Sequence, residues 1–350
     1  MPFSRGFERR LGATLRRYGA YAVGALFVAW TLLYIPTGYY LVSPGEVRGL
    51  RDAVKVKDAA PARGGDFYIV TVSTRKANAV AHAYGLLDPA SRLRPKDQVI
   101  PPGTDERQYF EESRRMMRES QETAKVVALK KMGFDARLSG TGVRVVEVLP
   151  SSAAEGVLAR DDVIVKVEDY PVSLADELLH EMRKYRPGQV LSVEVMRGGE
   201  RVSLKVPTGH HPEDPQRAAM GVRIETHNWH AVVPIDVSVD TGSISGPSGG
   251  LMLTLEIMEQ LSRGGSLLPV ARVAGTGTIA PSGGVGPVGG VAQKVIAAER
   301  AGMQVFLVPN ENLAEARGSA RRIELVPVGS LDDAVAYLVR SGGTLRTGTH

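Results

Sequence analysis

The 350 residues leave room for two or three domains, and a composition that is 43% hydrophobic and 23% charged is that of a chain able to bury a core, which excludes an intrinsically disordered protein. The net charge of +5 is concentrated in the first seventeen residues, where Arg5, Arg9, Arg10, Arg16 and Arg17 face only Glu8. The nearly neutral remainder carries no nucleic-acid signature. No cysteine is present, which excludes disulfides, thiolate metal sites and a cysteine nucleophile.

From Tyr18 to Gly45 no residue is charged, and "AYAVGALFVAWTLLYI" is long and apolar enough to cross a bilayer. The pattern predicts a basic cytoplasmic N-terminus over 1–17, a transmembrane helix over 18–42 and a tether over 43–65 rich in Pro, Gly and charge. Arginines before the span, and Trp30, Tyr34, Tyr39 and Tyr40 toward its far end, orient the bulk of the chain outside the cytoplasm. A cleaved signal peptide fits less well, because the apolar run exceeds a usual h-region and no small-x-small site follows.

Order is expected to resume over 66–137. There "DFYIVTVST" is a β-branched strand run, and the stretch from Thr104 to Met132 begins with acids and ends with lysines before Gly133, the polarity of a helix or a helix pair. Next, "GVRVVEVLPSSAAEGVLARDDVIVKVEDYPV" alternates as strands around a small-residue turn, "LADELLHEMRKY" has helical spacing, and "GQVLSVEVMRGGERVSLKV" is a hairpin. Strand, small-residue turn, strand, helix and hairpin over Leu138 to Pro207 resemble a PDZ domain, with Arg160–Asp161 where a Gly–Asp pair is usual. The resemblance implies capture of a peptide C-terminus as an added strand, its carboxylate held by the loop Ser139, Gly140, Thr141, Gly142 and Val143. A tight turn serving only packing is the alternative.

Residues 208–226 read as a linker, and 227–345 alternate strand and helix runs. Within them "GSISGPSGG" joins an alternating strand to the apolar run "LMLTLEIMEQL", placing Ser248 at a helix N-terminus. Its hydroxyl either caps that helix, worth about 1 kcal/mol, or is a nucleophile whose oxyanion is received by N–H groups made approachable by Gly249 and Gly250. No histidine stands where a Ser-His-Asp triad needs it: His180 lies in the PDZ-like helix, His210 and His211 in the linker, and His227 and His230 before the strand. Farther on, Lys294 falls at the start of a helix beside Val291, Val295 and Ile296. Desolvation there would lower its pKa toward a neutral amine near physiological pH.

"GPSGG" and "GTGTI…G…GPVGGVAQK" together resemble the proteolytic domain of Lon, a serine-lysine dyad peptidase, over about His227 to Val339. The resemblance implies Ser248 as nucleophile, Lys294 as general base and Thr276 as a hydrogen-bond partner of the lysine, with no cofactor or metal; Glu311 and Asn312 fit the family's post-strand turn. Departures are Gly249 for the usual Ala, and Ser245 where an acid often stands. The whole order resembles the secreted, membrane-anchored, PDZ-containing Lon-like proteases of bacteria. That implies an α+β chain with a transmembrane helix, a β-rich PDZ domain inserted into the protease body and an α/β Lon-type domain, cleaving peptide or protein substrates and able to assemble into a homo-oligomeric ring.

No G-x-x-x-x-G-K-[ST] loop occurs, so an ATP-driven motor is not expected, and no nucleic-acid partner is. Two rivals differ in class. One is a non-catalytic PDZ scaffold that binds protein C-termini, against which an intact Ser248 and Lys294 argue. The other is a metal site from "HNWH" or "GHHPED", which lacks a third fixed ligand.

Overall fold

The computed structural model describes residues 27–346 except 28, 29, 32, 58, 60–63, 102, 212, 213, 263–265 and 269–271. The expected basic N-terminus and residues 18–26 of the expected membrane span lie outside the described residues. Among the described residues no helix is long and apolar enough to cross a membrane. The far end of the expected span is corrected: helical conformation stops at Tyr34, and Pro36–Gly49 form strand β1. Pro36 cannot continue a helix and Gly38 has φ +72°, after which Tyr40 and Leu41, on opposite faces of the strand, are both buried.

The expected tether is corrected as well. Residues 43–49 complete β1, and Val54–Val56 form a short strand that pairs antiparallel with Val237–Val239. A stretch rich in Pro and Gly can be a strand here because bulges absorb it. The register of β1 against β2 (Asp66–Asn78) shifts between Pro44 and Val47, where a Cβ on Gly45 would lie 2.6 Å from Thr71 O. Helix α1 (Ala79–Leu87) follows, capped by Asn78 Oδ1 accepting from Ala81 N at 2.8 Å, then β3 (Arg92–Pro95). The run of acids then lysines is a single helix, α2 (Glu106–Lys131), opened by an Asp105–Gln108 capping box and stopped before Gly133 at φ +90°.

From α2 the chain leaves through β4 (Arg137–Ser139) into a separate β-rich unit. That unit holds β5 (Val143–Val148), β6 (Val163–Val167), α3 (Ala175–Met182), the hairpin β7 (Val190–Arg197) and β8 (Glu200–Pro207), and β9 (Val222–Thr226). The main path of its sheet runs β8-β7-β6-β5-β9 over a core that includes Val143, Ile164, Leu178 and Val193. The expected linker is thus corrected: Gly209–His211 and Asp214–Ala219 pair with each other, and β9 is an edge strand of the sheet. The chain returns through β10 (His230–Val232), which pairs with β4 in the register Arg137↔Val232, Ser139↔His230.

The remainder supplies α4 (Gly250–Leu261), β11 (Arg272–Gly275), α5 (Val291–Arg300), β12 (Val305–Pro309), β13 (Glu324–Val328) and α6 (Leu331–Arg340). One six-stranded sheet, ordered β13-β12-β11-β2-β1-β3, therefore joins strands from both sides of the inserted unit. Its first four strands are parallel, and β1 runs antiparallel to both its neighbours, β2 and β3. The main core likewise mixes the two halves, bringing Phe67, Ile69, Val127 and Leu129 against Leu251, Leu255 and Leu307. A second core of Val70, Ala274, Val291, Val295 and Phe306 seats α5.

Helix α4 runs through the main core and buries polar side chains in satisfied contacts. Gln260 Nε2 donates to Val54 O and to Glu256 Oε1, both at 2.8 Å, while Glu259 accepts from Ser266 Oγ and Leu267 N, each at 2.6 Å. Burial pushes the Glu256 carboxyl up to about 7.

Candidate active site

The loop after Val237–Val239 reverses at Gly242 and Gly246, whose φ values are +61° and +82°. Pro247, lacking an N–H, opens a 3-10 turn, Pro247–Gly249, that runs into α4. No side chain caps this start, so the capping expectation for Ser248 is corrected: its hydroxyl points to Lys294 instead.

Helix α2 braces the turn. Gly246 N donates to Ser113 O at 2.8 Å, and the buried Ser120 Oγ donates to Pro247 O at 3.1 Å. The glycines after Ser248 are required by close packing. A Cβ on Gly249 would fall 2.3 Å from Ile69 Cδ1, and one on Gly250 would fall 2.6 Å from Ser120 Oγ and 3.0 Å from Ile279 N. At Gly249, where the resembling motif has Ala, Ile69 fills the space.

Lys294 reaches the same point from α5. That helix starts at Gly290 in the left-handed region, φ +69°, and its inward face of Val291 and Val295 is buried. Asn312 holds the approach to the helix, its side chain accepting from Val288 N at 2.8 Å and donating to Val288 O at 3.1 Å; Glu311 is exposed. Lys294 is itself only 2% exposed, and its Nζ lies 2.8 Å from Ser248 Oγ and 2.9 Å from Thr276 Oγ1. Burial alone pushes the amine down to about 7.

Thr276 completes the group at the end of β11. Its N–H donates to Leu307 O at 3.0 Å, continuing the sheet, and its hydroxyl donates to the Ser248 carbonyl at 3.0 Å. Gly277 N donates to that same carbonyl at 2.9 Å. The backbone of Ser248 is thereby fixed by two donors. With the Thr276 hydrogen committed, the oxygen of that hydroxyl is left to accept from Lys294, which turns a neutral amine's lone pair toward Ser248. Residues separated in sequence by 28 and by 46 positions meet in one triangle, in which Thr276 and Lys294 are buried and Ser248 is half-buried. Ser113 and Ser120 were not singled out from the sequence; their signal was a pair of buried serines on a helix otherwise full of charge.

The histidines lie elsewhere. His180 is exposed on α3, His210 Nδ1 is 2.7 Å from Pro215 O, His227 Nδ1 is 2.9 Å from Thr141 Oγ1, and His230 Nδ1 is 2.6 Å from Asn228 O.

The loop expected to hold a peptide carboxylate is occupied by the protein itself. Ser139 belongs to β4, Thr141 N donates to His227 O at 2.9 Å, and Gly142 N donates to Ser173 O at 3.3 Å. Gly140 is wedged so that a Cβ would lie 2.4 Å from Ser173 O, and Val143 is buried at the start of β5. The expectation for Ser139–Val143 is therefore corrected: these residues form the neck of the inserted unit, and two of the loop's N–H groups are already used. The edge of the sheet is β9, preceded by the turn at Gly221, φ +76°, with the start of α3 close by, where Ala175 N donates to Thr226 Oγ1 at 2.9 Å. An edge strand presents unpaired backbone groups to a partner. Charge ties this edge to the body: Glu225 on β9 pairs with Arg144 and with Arg115 of α2.

Family models match both units, with an overlap over residues 194–208. Residues 130–208 match the PDZ domain, and residues 194–339 match the Lon protease (S16) C-terminal proteolytic domain. The chain thus carries a PDZ domain and a Lon-type proteolytic domain in a mixed α/β fold. Among curated relatives, the Lon protease of Trichlorobacter lovleyi is 28% identical over 165 residues, 42% of this chain and 20% of that protein. The Lon protease of Chloroflexus aggregans is 32% identical over 164 residues, 42% of this chain and 19% of that protein. The chain spans about a fifth of the length of the curated relatives it matches. Among solved structures, the PDZ domain of an SdrC-like protein from Listeria monocytogenes is similar at 15% identity and a TM-score of 0.22, covering 24% of this chain and 87% of that one.

Proposed function

We propose that this chain is an ATP-independent serine endopeptidase in which Ser248 is the nucleophile and Lys294 the general base, anchored to a membrane by its N-terminal apolar run with the catalytic body outside the cytoplasm. The observation that carries the catalytic reading is the buried lysine amine, at about 7, lying 2.8 Å from the serine hydroxyl. A buried, neutral amine is a competent base, and no acid is needed to activate it.

In the proposed reaction, neutral Lys294 takes the Ser248 proton as Oγ attacks the scissile carbonyl carbon. Amide N–H groups of the Pro247–Gly249 turn receive the oxyanion. The lysine ammonium then gives its proton to the leaving amine, and the C–N bond breaks to leave an acyl-serine. Water, deprotonated by the same amine, attacks the ester, and Ser248 recovers its proton as the acid product leaves. Thr276 acts by orienting Lys294 and pinning the Ser248 backbone.

Substrates in this proposal are extended or unfolded segments, since the 350 residues contain no phosphate-binding loop to drive unfolding. The PDZ domain recruits them, with β9 as the strand to which a peptide adds. The five arginines before the uncharged run support the anchored orientation.

The test is cleavage of an unfolded protein substrate by the full chain in lipid nanodiscs, comparing wild type with Ser248→Ala and Lys294→Met. Loss in both variants is expected, with each variant's melting curve showing that it is folded. Equal turnover in all three proteins would overturn the dyad.

A further inference from the structure

Helix α1 presents its large apolar side chains outward. Small residues face the body: Ala81 is 9% exposed, and a Cβ on Gly85 would fall 2.7 Å from Leu41 Cδ1 and 2.9 Å from Leu93 Cγ. Val80, Tyr84 and Leu87, spaced four and three residues apart, are 47%, 53% and 83% exposed, and Leu86 beside them is 73% exposed. A surface helix ordinarily turns its apolar stripe to the core. Here the stripe is inverted, and an apolar patch of this kind calls for a partner.

The identity of the partner follows from what stands at the foot of the helix. Ala79 N donates to Ile35 O at 3.2 Å and Asn78 Nδ2 donates to Leu33 O at 2.9 Å, so α1 begins beside the point in the uncharged N-terminal run where helical conformation stops. Trp30 and Tyr34, just before that point, are exposed with ring centroids 4.8 Å apart. On the neighbouring β3, Leu93 packs with Leu41 against α1, so the exposed Arg92 and Arg94 project from the opposite face of the sheet. Asp88, the acid at the end of α1, is turned to Ser91 Oγ at 2.6 Å.

We propose that α1 lies in the headgroup layer of the bilayer, its Val80, Tyr84 and Leu87 face dipping toward the acyl chains beside the point where the anchor emerges. The proposal rests on the membrane-anchor reading above. It adds that the body is held against the membrane surface and does not swing on a tether, which orients the protease relative to the bilayer.

The absence of cysteine allows single labels on the full chain. Leu87→Cys, Tyr84→Cys and, as a control on the exposed PDZ hairpin, Arg201→Cys would each carry a nitroxide in vesicles of phosphatidylethanolamine and phosphatidylglycerol. Collision with oxygen relative to a water-soluble nickel chelate is expected to be about fivefold higher at 84 and 87 than at 201, as for a face buried in the interface. Failure of the full chain to float with vesicles would overturn the anchor and this proposal together. Flotation with aqueous accessibility at 84 and 87 would overturn this proposal alone. Spin–spin broadening at 87 that vanishes on dilution with unlabelled protein would overturn it in favour of a second copy covering α1.

Discussion

Thr276 commits its hydroxyl hydrogen to the carbonyl oxygen of Ser248, 3.0 Å away, and so can only accept from Lys294, 2.9 Å away. One side chain thus sets both the backbone of the proposed nucleophile and the direction of the proposed base. Thr276→Val keeps the shape and removes both bonds. It is expected to lower kcat by about 10- to 100-fold, the scale of one or two lost hydrogen bonds, with KM little changed. Thr276→Ser should recover most of the rate. Steady-state kinetics on a short peptide decide it, and a valine variant of wild-type kcat would remove Thr276 from the mechanism.

Activity should depend on pH through Lys294. The active form is the neutral amine, so kcat/KM is expected to rise with pH through about 7 and level off above it. Glu256 also sits at about 7, so the profile of Glu256→Gln separates the two, and it should keep the same midpoint.

The same burial costs stability. Between about 7 and the ordinary lysine value of 10.5, the unfolded chain binds a proton that the folded one does not, so this group's contribution to stability rises with pH across that window. Below it the full penalty is present, roughly 5 kcal/mol at about 1.4 kcal/mol per pH unit. Lys294→Met should therefore raise Tm, by more at pH 6.5 than at pH 9.5. A gain independent of pH would show that packing, not protonation, is responsible.

Gly249 is set by Ile69. Gly249 is the N-cap of α4, where alanine has no advantage over glycine, and overpacking costs about 1–3 kcal/mol because the new Cβ meets Ile69 Cδ1 at 2.3 Å. Gly249→Ala alone should lower Tm and activity. In an Ile69→Val background, which lacks the δ-methyl, the same change should lower Tm by less. Thermal melts of the four proteins test it, and additivity would show that the two positions do not interact.

The neck makes the PDZ domain removable. Because Ser139 faces His230 across an antiparallel pair, replacing residues 140–229 by Asn-Gly turns β4 and β10 into a two-residue hairpin. The remaining body keeps its sheet and both cores. Short-peptide kcat/KM is expected to stay within about threefold, while KM for long substrates rises as the recruiting module is lost. Unchanged KM for long substrates would leave the domain no part in recruitment.

Much of the site was legible in the sequence because its cues are local. Glycines around Ser248 and before Lys294 announce turns into helices, and apolar neighbours announce a desolvated lysine. The peptide loop is not legible in the sequence, because a Gly-rich stretch such as Ser139–Val143 looks the same whether its amides are free or spent on His227 and Ser173. Strand β9 was passed over because it follows a stretch rich in Pro, Gly and charge and joins the sheet only at its far edge.

By itself, the sequence determined the chemistry available: a serine in a proline- and glycine-framed turn, a lysine among valines, a threonine at a strand end and an uncharged run near the N-terminus. Tertiary structure alone decided that these side chains meet, that strand β2 from before the PDZ domain pairs with β11 in one sheet, and that α1 turns its apolar face outward. Periodicity reports which side of an element is apolar. Which distant element covers that side, or whether any does, depends on pairing across a hundred residues and more, where no local pattern reaches.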